Sequence, residues 1–201
     1  MKIREAWPGR LRIGSTRVAV VSDTHVADDG EPLPEELIEA LAGSELILHC
    51  GDLDSLIVLD HLERIAPVLA VRGYPDPREP GDRLADVTRV VEVDGVRIGM
   101  VHDPRWPGPR FDFTHTLEFP PGRPVHELTA QKFGEPVDVV CFGDTHEEFV
   151  GWYQGVLFVN PGSPTRPGMR HGPAELGTFA LLDVANGVVS AEIRKLRRRL
   201  A

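Results

Sequence analysis

The chain has 201 residues, 41% of them hydrophobic, enough for one full core, and a single domain over residues 1–201 is expected. Its 22 basic and 31 acidic residues give a formal net charge of −9, which argues against nucleic acid or an anionic membrane as partner and leaves positive charge for an anionic substrate to be supplied locally. No run approaches the ~20 apolar residues of a spanning helix, so no membrane association is expected, and the two cysteines, Cys50 and Cys141, read as buried thiols of a reducing, cytoplasmic protein.

After a polar N-terminal extension, residues 1–16, the contiguous apolar residues Val18 to Val21 predict a buried strand over Arg17 to Ser22. Pro34 to Leu41 predicts a helix with Leu37, Ile38 and Leu41 on one face, Pro34 being tolerated in a first turn. Leu46 to His49 is the second strand; Ser55 to Ile65 is the second helix, with Asp54 as its N-cap; Val68 to Val71 is the third strand. Such a β-α-β-α-β opening favours a parallel sheet with ligands at the strand C-terminal ends.

The second half reads as mainly antiparallel. Asp94-Gly95 joins Val87-to-Val93 with Val96-to-Val101, Gln154-Gly155 joins two short strands, and Asn186-Gly187 joins Thr178-to-Val184 with Val188-to-Ile193. A helix is expected over Val125 to Phe133, and the basic tail from Arg194 reads as a solvated edge. Together these elements predict an α+β protein built as a four-layer α-β-β-α sandwich.

Apolar runs repeatedly end in ligand-type side chains: Asp23-Thr24-His25, Gly51-Asp52, Gly73-Tyr74, His102-Asp103 and Gly143-Asp144-Thr145-His146. Because a strand delivers its last residues to one sheet edge, these donors can converge around cations, and the pattern reads as a metallohydrolase. A hard dinuclear site needs a bridging carboxylate, for which Asp52 is the candidate, with imidazoles and oxygen donors completing each sphere.

In order and spacing these motifs, with Asn160-Pro161-Gly162-Ser163 after them, resemble the calcineurin-like metallophosphoesterases, in particular their small bacterial and archaeal phosphodiesterase branch, from about Val18 to Val189. The resemblance implies two divalent ions, with Asp23, His25, Asp52 and His146 at the first site. At the second site the family uses the bridging carboxylate, an Asn, a strand-end His and the first His of Gly-His-x-His; here those positions hold Asp52, Tyr74, His102 and Asp144, and Asp103 replaces a glycine. An unequal pair follows: a tight first ion and a looser, oxygen-richer second one, favouring manganese or iron over zinc or nickel. Tyr74 ligates only as a phenolate, against its ordinary pKa near ~10.

The reaction implied is hydrolysis of a phosphodiester or phosphomonoester by a bridging, metal-activated hydroxide, on a small phosphorylated or nucleotide-like substrate. Asp52 and His102 carry it, with either Asp76 or a metal-bound water as the candidate general acid. The Pro- and aromatic-rich loop 103–124 is expected either to wall the site, with Arg105, Arg110 or His115 contacting phosphate, or to join copies of the chain in a homo-oligomer. Arg166 and Arg170 are alternative phosphate contacts. A non-catalytic scaffold with a degraded second site, as in the retromer subunit resembling this branch, and a nuclease are the alternative functions. His49 reads as a hydrogen-bonded core residue, His61 and His126 as surface groups, and Asp28 and Asp29 as a polar loop.

Overall fold

The structure is a computed structural model, and it describes residues 4–6, 15–27, 30, 32–78, 83–84, 86–111, 116–172 and 175–197. Asp28, Asp29 and His115 lie outside the described residues.

One sheet is formed by β2 (Thr16–Val21), β3 (Leu46–His49), β4 (Val68–Ala70), β12 (Thr178–Ala185) and β13 (Val188–Lys195), in the order β13-β12-β2-β3-β4. The other holds β1 (Arg4–Ala6), β5 (Thr88–Val93), β6 (Val96–Val101), β9 (Val139–Cys141), β10 (Glu148–Tyr153) and β11 (Val156–Pro161), in the order β1-β5-β6-β9-β11-β10. A separate hairpin pairs β7 (Arg110–Phe111) with β8 (Leu117–Glu118). The helices are α1 (Glu35–Ala40), α2 (Ile57–Leu62) and α3 (Val125–Phe133).

Side-chain alternation builds the layers. In β2, Val18 and Val20 face the second sheet and pack with Val91, Ile98, Met100, Val139 and Val159. Ala19 and Val21, one residue out of phase, join Leu37 and Leu41 of α1 and Val58, Leu59 and Leu62 of α2 on the outer face. The outer face of the second sheet is covered by Val125 and Phe133 of α3 with Phe111. The predicted four-layer α-β-β-α sandwich is therefore observed.

Local signals explain most boundaries. Asp94, Gln154 and Asn186 have φ of 44°, 47° and 53°, each followed by a glycine at positive φ, the two-residue hairpin geometry that the sequence anticipates. The helix α3 ends on Gly134, which is left-handed (φ 84°) and returns its N–H to the Ala130 carbonyl.

Three expectations are corrected. Residues 4–6 of the N-terminal extension form β1, which adds in parallel to β5 as an edge strand. Asp54 does not cap α2: that helix begins at Ile57, whose N–H bonds the Ser55 hydroxyl. The loop after His102 is not one lid, since Phe111, Leu117 and Phe119 pack onto the outer face of the six-stranded sheet and Phe119 stacks on Tyr153 at 3.9 Å. Among its described residues, the first ones reach the rim where β2, β3, β6 and β9 end.

Candidate metal centre

Parallel pairing sets the loops level: Val21 lies opposite His49, and Met100 opposite Cys141, so the segments after β2, β3, β6 and β9 leave the sandwich at one rim. The ladder continues past the strands, with Asp23 N–H bonding Gly51 O at 2.9 Å and His25 N–H bonding Asp52 O at 3.1 Å. Five donor residues, Asp23, His25, Asp52, Asp144 and His146, have φ between 44° and 75°. Such left-handed backbone costs of order 1–3 kcal/mol per residue away from glycine and clusters at functional sites. Asp and His are at once the ligands and residue types that tolerate it comparatively well.

The surroundings enforce this geometry. Asp76 is buried and its carboxylate accepts the N–H groups of Asp52 (2.9 Å), Leu53 (2.7 Å), Asp54 (3.0 Å) and Gly73 (2.7 Å). The Ser163 hydroxyl donates to Asp23 O at 2.7 Å and the Thr165 hydroxyl to Thr24 O at 2.7 Å, while Asn160 Nδ2 donates to Gly143 O at 3.0 Å. Asn160-Pro161-Gly162-Ser163 thus ties the first and last ligand loops together. Buried His49 accepts the Gly51 N–H on Nδ1 at 3.2 Å, so its proton is on Nε2 and is donated to Thr24 Oγ1 at 3.2 Å. Burial lowers its pKa to about 3, which keeps it neutral. It is the core residue the sequence suggests, with the added task of joining the Asp-x-His and Gly-Asp loops. Gly73 and Gly143 are required for close approach: a Cβ on the first would run into Asp52 Oδ1, and on the second into Ser22 Oγ.

The donors converge in two overlapping groups, Asp23 with His25 and His146, and Asp23 with Asp52 and His102. In the first, His25 Nε2 is 3.2 Å from His146 Nε2 and 3.7 Å from Asp52 Oδ2, and His146 Nε2 is 3.6 Å from Asp23 Oδ1. In the second, His102 Nε2 is 3.1 Å from Asp52 Oδ1 and 4.0 Å from Asp144 Oδ1.

Each imidazole has its other nitrogen engaged. His25 Nδ1 donates to Asp54 at 3.1 Å, His102 Nδ1 to Cys50 O at 2.9 Å and His146 Nδ1 to Arg166 O at 2.6 Å. This is the outer-shell arrangement of metal-binding histidines, and it leaves three Nε2 atoms directed inward. Both oxygens of fully buried Asp23, and His102 Nε2, have no hydrogen-bond partner among the described residues. Two bare Nε2 atoms 3.2 Å apart and an unpartnered buried carboxylate repel or cost desolvation energy unless a cation lies among them. The residues present fit a divalent metal.

The charges respond to the same crowding. Burial raises the Asp23 pKa to about 7, with His102 the main opposing influence. Burial also acts to raise Asp52, but His102, the Tyr74 N–H and His25 outweigh it and hold the group below the usual carboxylate range. His102 rises to about 9 because Asp52 and Asp23 overcome the opposing effect of burial.

The three departures from the family pattern are joined by one side chain. Arg105 Nη2 lies 2.8 Å from Asp103 Oδ2, 3.2 Å from the Tyr74 hydroxyl and 3.5 Å from Asp144 Oδ2. Tyr74 is corrected as a ligand: its hydroxyl donates to Asp103 at 2.5 Å, and burial and Asp103 raise its pKa, away from phenolate. Its N–H instead holds Asp52 Oδ1 at 2.8 Å. Asp76 is corrected as a general acid, since its two oxygens are occupied as acceptors from four N–H groups.

Of the proposed phosphate contacts, Arg105 flanks Asp144, and Arg166 reaches the opposite rim, its Nη2 3.4 Å from His25 O. Arg110 sits on the outer hairpin, and Arg170 is turned to Glu148 at 3.4 Å. Sequence reasoning missed Asp54 as the orienting partner of His25, although Asp52-Leu53-Asp54 repeats the two-residue spacing of Asp23-Thr24-His25.

Comparison with known proteins agrees. Residues 16–187 match the model of the calcineurin-like phosphoesterase superfamily domain. A probable metallophosphoesterase of Methanothermobacter thermautotrophicus is 35% identical over 150 residues, covering 75% of this chain and 78% of its own. A phosphodiesterase of Methanocaldococcus jannaschii is 30% identical over 155 residues, covering 73% and 82%. Among solved structures, Vps29 from Entamoeba histolytica complexed with zinc superposes with a TM-score of 0.62 at 22% identity, covering 89% of this chain and 98% of that one. The family match over most of the chain and the 35% identity together place this protein in the calcineurin-like phosphoesterase superfamily.

Proposed function

We propose that the protein is a metal-dependent phosphoesterase acting on phosphodiesters. The observation that carries this reading is the set of inward-facing donors: both Asp23 oxygens and His102 Nε2, without a hydrogen-bond partner among the described residues, and the crowded Nε2 atoms of His25 and His146, all three imidazoles having Nδ1 already engaged. Asp23, His25, Asp52 and His146 would hold the first ion; Asp52, His102 and Asp144 offer a smaller, oxygen-richer set for a second, which would suit manganese or iron. A bound divalent ion supplies Lewis-acid activation of water and neutralises charge on the phosphoryl oxygens.

The chain's own residues do the rest. Arg105 and Arg166 present cations at opposite rims of the centre, where the non-bridging oxygens of a phosphodiester need them. Water adds to phosphorus, the P–O ester bond breaks, and a proton ends on the departing oxygen. With Nδ1–H engaged in each of the three site imidazoles and Nε2 facing a bound ion, none would have an N–H to give, and Asp76 is occupied, so solvent protonates the leaving group and esters with acidic leaving groups react faster.

Two clefts favour a diester over a monoester. One, about 480 Å³, opens beside His102, and another, about 340 Å³, beside His25 and Arg166. A phosphorus at the centre thus has room for an ester arm on each side. Names of relatives, probable metallophosphoesterase and phosphodiesterase, support the same chemistry.

The test is hydrolysis of bis(p-nitrophenyl) phosphate by protein stripped with EDTA and reloaded with manganese. Turnover that depends on added metal and disappears in Asp52→Ala is expected. Metal-independent turnover, or none after confirmed loading, overturns the proposal. The second outcome favours the scaffold reading, which the Tyr74, Asp103 and Asp144 departures and the Vps29-like fold support.

A further inference from the structure

The 480 Å³ cleft beside His102 differs from the rest of this acidic chain. Arg72, Arg78, Arg105 and Lys132 line it against one carboxylate, Asp103, among the described residues, although the whole chain carries a net charge of −9. It also displays two aromatic rings to solvent, Tyr74 at 57% and Trp106 at 81% relative exposure. Large aromatic side chains left this bare beside a reaction centre lack the packing that ordinarily explains them.

The cleft is built rather than accidental. Lys132, on α3, donates through Nζ to the carbonyls of Arg105 (2.7 Å), Asp103 (3.2 Å) and Trp106 (3.4 Å), so the segment bearing Trp106 is held at three points. Arg105 is fixed by Asp103, and Tyr74 by its bond to Asp103. Arg78 makes no ion pair with any described residue, and its charge is available to a ligand. The cleft shares its wall with the centre through Gly73, Tyr74 and His102, and its volume suits a ligand arm of nucleoside size.

The geometry points to a nucleotide-binding subsite: one ester arm of the substrate is a nucleoside carrying further phosphate, its base stacked on Trp106 and Tyr74 and its additional phosphate on Arg78 and Arg105. Exposed aromatic faces interleaved with cations are the arrangement that takes bases by stacking and phosphates by charge. The opposite cleft, lined by Val26, Pro32, Pro34 and Leu176 with Arg166 and the site residue His25, has no Phe, Tyr or Trp among its described residues, so the two arms of the substrate differ in kind.

This inference rests on the phosphodiesterase reading, and calorimetry on the manganese-loaded protein separates the two. Adenosine 5′-monophosphate is expected to bind at least tenfold more tightly than ribose 5-phosphate, because stacking is lost with the base. In Trp106→Ala that preference falls to within about twofold, and in Arg78→Ala the diphosphate loses its advantage over adenosine 5′-monophosphate. Equal affinity of wild type for the monophosphate and ribose 5-phosphate, or a base preference that survives in Trp106→Ala, overturns the subsite. Trp106 is 81% exposed, so its removal opens no core cavity, and an unchanged melting temperature verifies the fold. Loss of bis(p-nitrophenyl) phosphate hydrolysis with the base preference intact would instead defeat the enzymatic reading and leave the nucleotide site standing.

Discussion

Replacing Asp76 tests whether the ligand loops are held by a residue that never touches an ion. Its carboxylate accepts four N–H groups at 2.7 to 3.0 Å, three of them from Asp52, Leu53 and Asp54 in sequence. Hydrogen bonds to a charged acceptor are worth about 1.5–3 kcal/mol each, but bonds sharing one acceptor do not add, and water entering the vacated space recovers part of the loss. Asp76→Ala is therefore expected to cost about 3–5 kcal/mol of stability, and Asp76→Asn, which keeps one acceptor oxygen, about 2 kcal/mol. The loop so released carries Asp52, a member of the second donor group, and Asp54, which orients His25, so metal affinity falls about 10–100-fold in the Asn variant, the usual effect of removing an outer-shell partner. Urea denaturation of the metal-free protein and calorimetric titration with manganese read the two effects separately. An Asn variant with wild-type metal affinity and an unchanged urea midpoint would refute the reasoning.

Three other outcomes are expected. Without metal, Asp23 carries a pKa raised to about 7 by burial, so its own contribution to stability is greatest below about pH 4 and declines as pH rises towards 7; Asp23→Asn removes that decline, gains a few kcal/mol at pH 8 and abolishes metal binding, read by denaturation of variant against wild type across pH and by metal content. Because Asp52 and Asp23 hold His102 protonated up to about pH 9 in the metal-free protein, an ion at the second group must displace a proton. Affinity there rises about tenfold per pH unit until about 9, and calorimetry in buffers of different ionisation enthalpy detects the released proton. Gly143→Ala places a methyl group against Ser22 Oγ and Asp23 Oδ2, and a fall of more than about 100-fold in turnover with unchanged far-ultraviolet circular dichroism is expected.

The sequence revealed the fold well because its signals are local. The hairpin pairs at Asp94, Gln154 and Asn186, the C-cap at Gly134 and the apolar alternation of β2 each specify their own element, and the donors fall at strand ends where topology gathers them. What escaped was non-local. Asp76 resembles a free acid until the four N–H groups converging on it are seen, and Asp54 resembles a helix cap until His25 is found beside it. Similarly, Tyr74, Asp103 and Asp144 stand as separate oddities in the chain, and only folding brings Arg105 among them. The lid expectation failed for half of its loop because aromatic residues suited to a binding wall suit an outer core equally, and Phe111 and Phe119 found the latter.

The central claim is that a cation belongs among donors gathered from four separate loops, and anomalous diffraction from a manganese-soaked crystal tests it most directly. A strong peak within ligand distance of Asp23, His25, Asp52 and His146, with a weaker one near His102 and Asp144, is the predicted result. Absence of a peak among the first four residues, or two equally occupied ions with Tyr74 as a ligand, would contradict it.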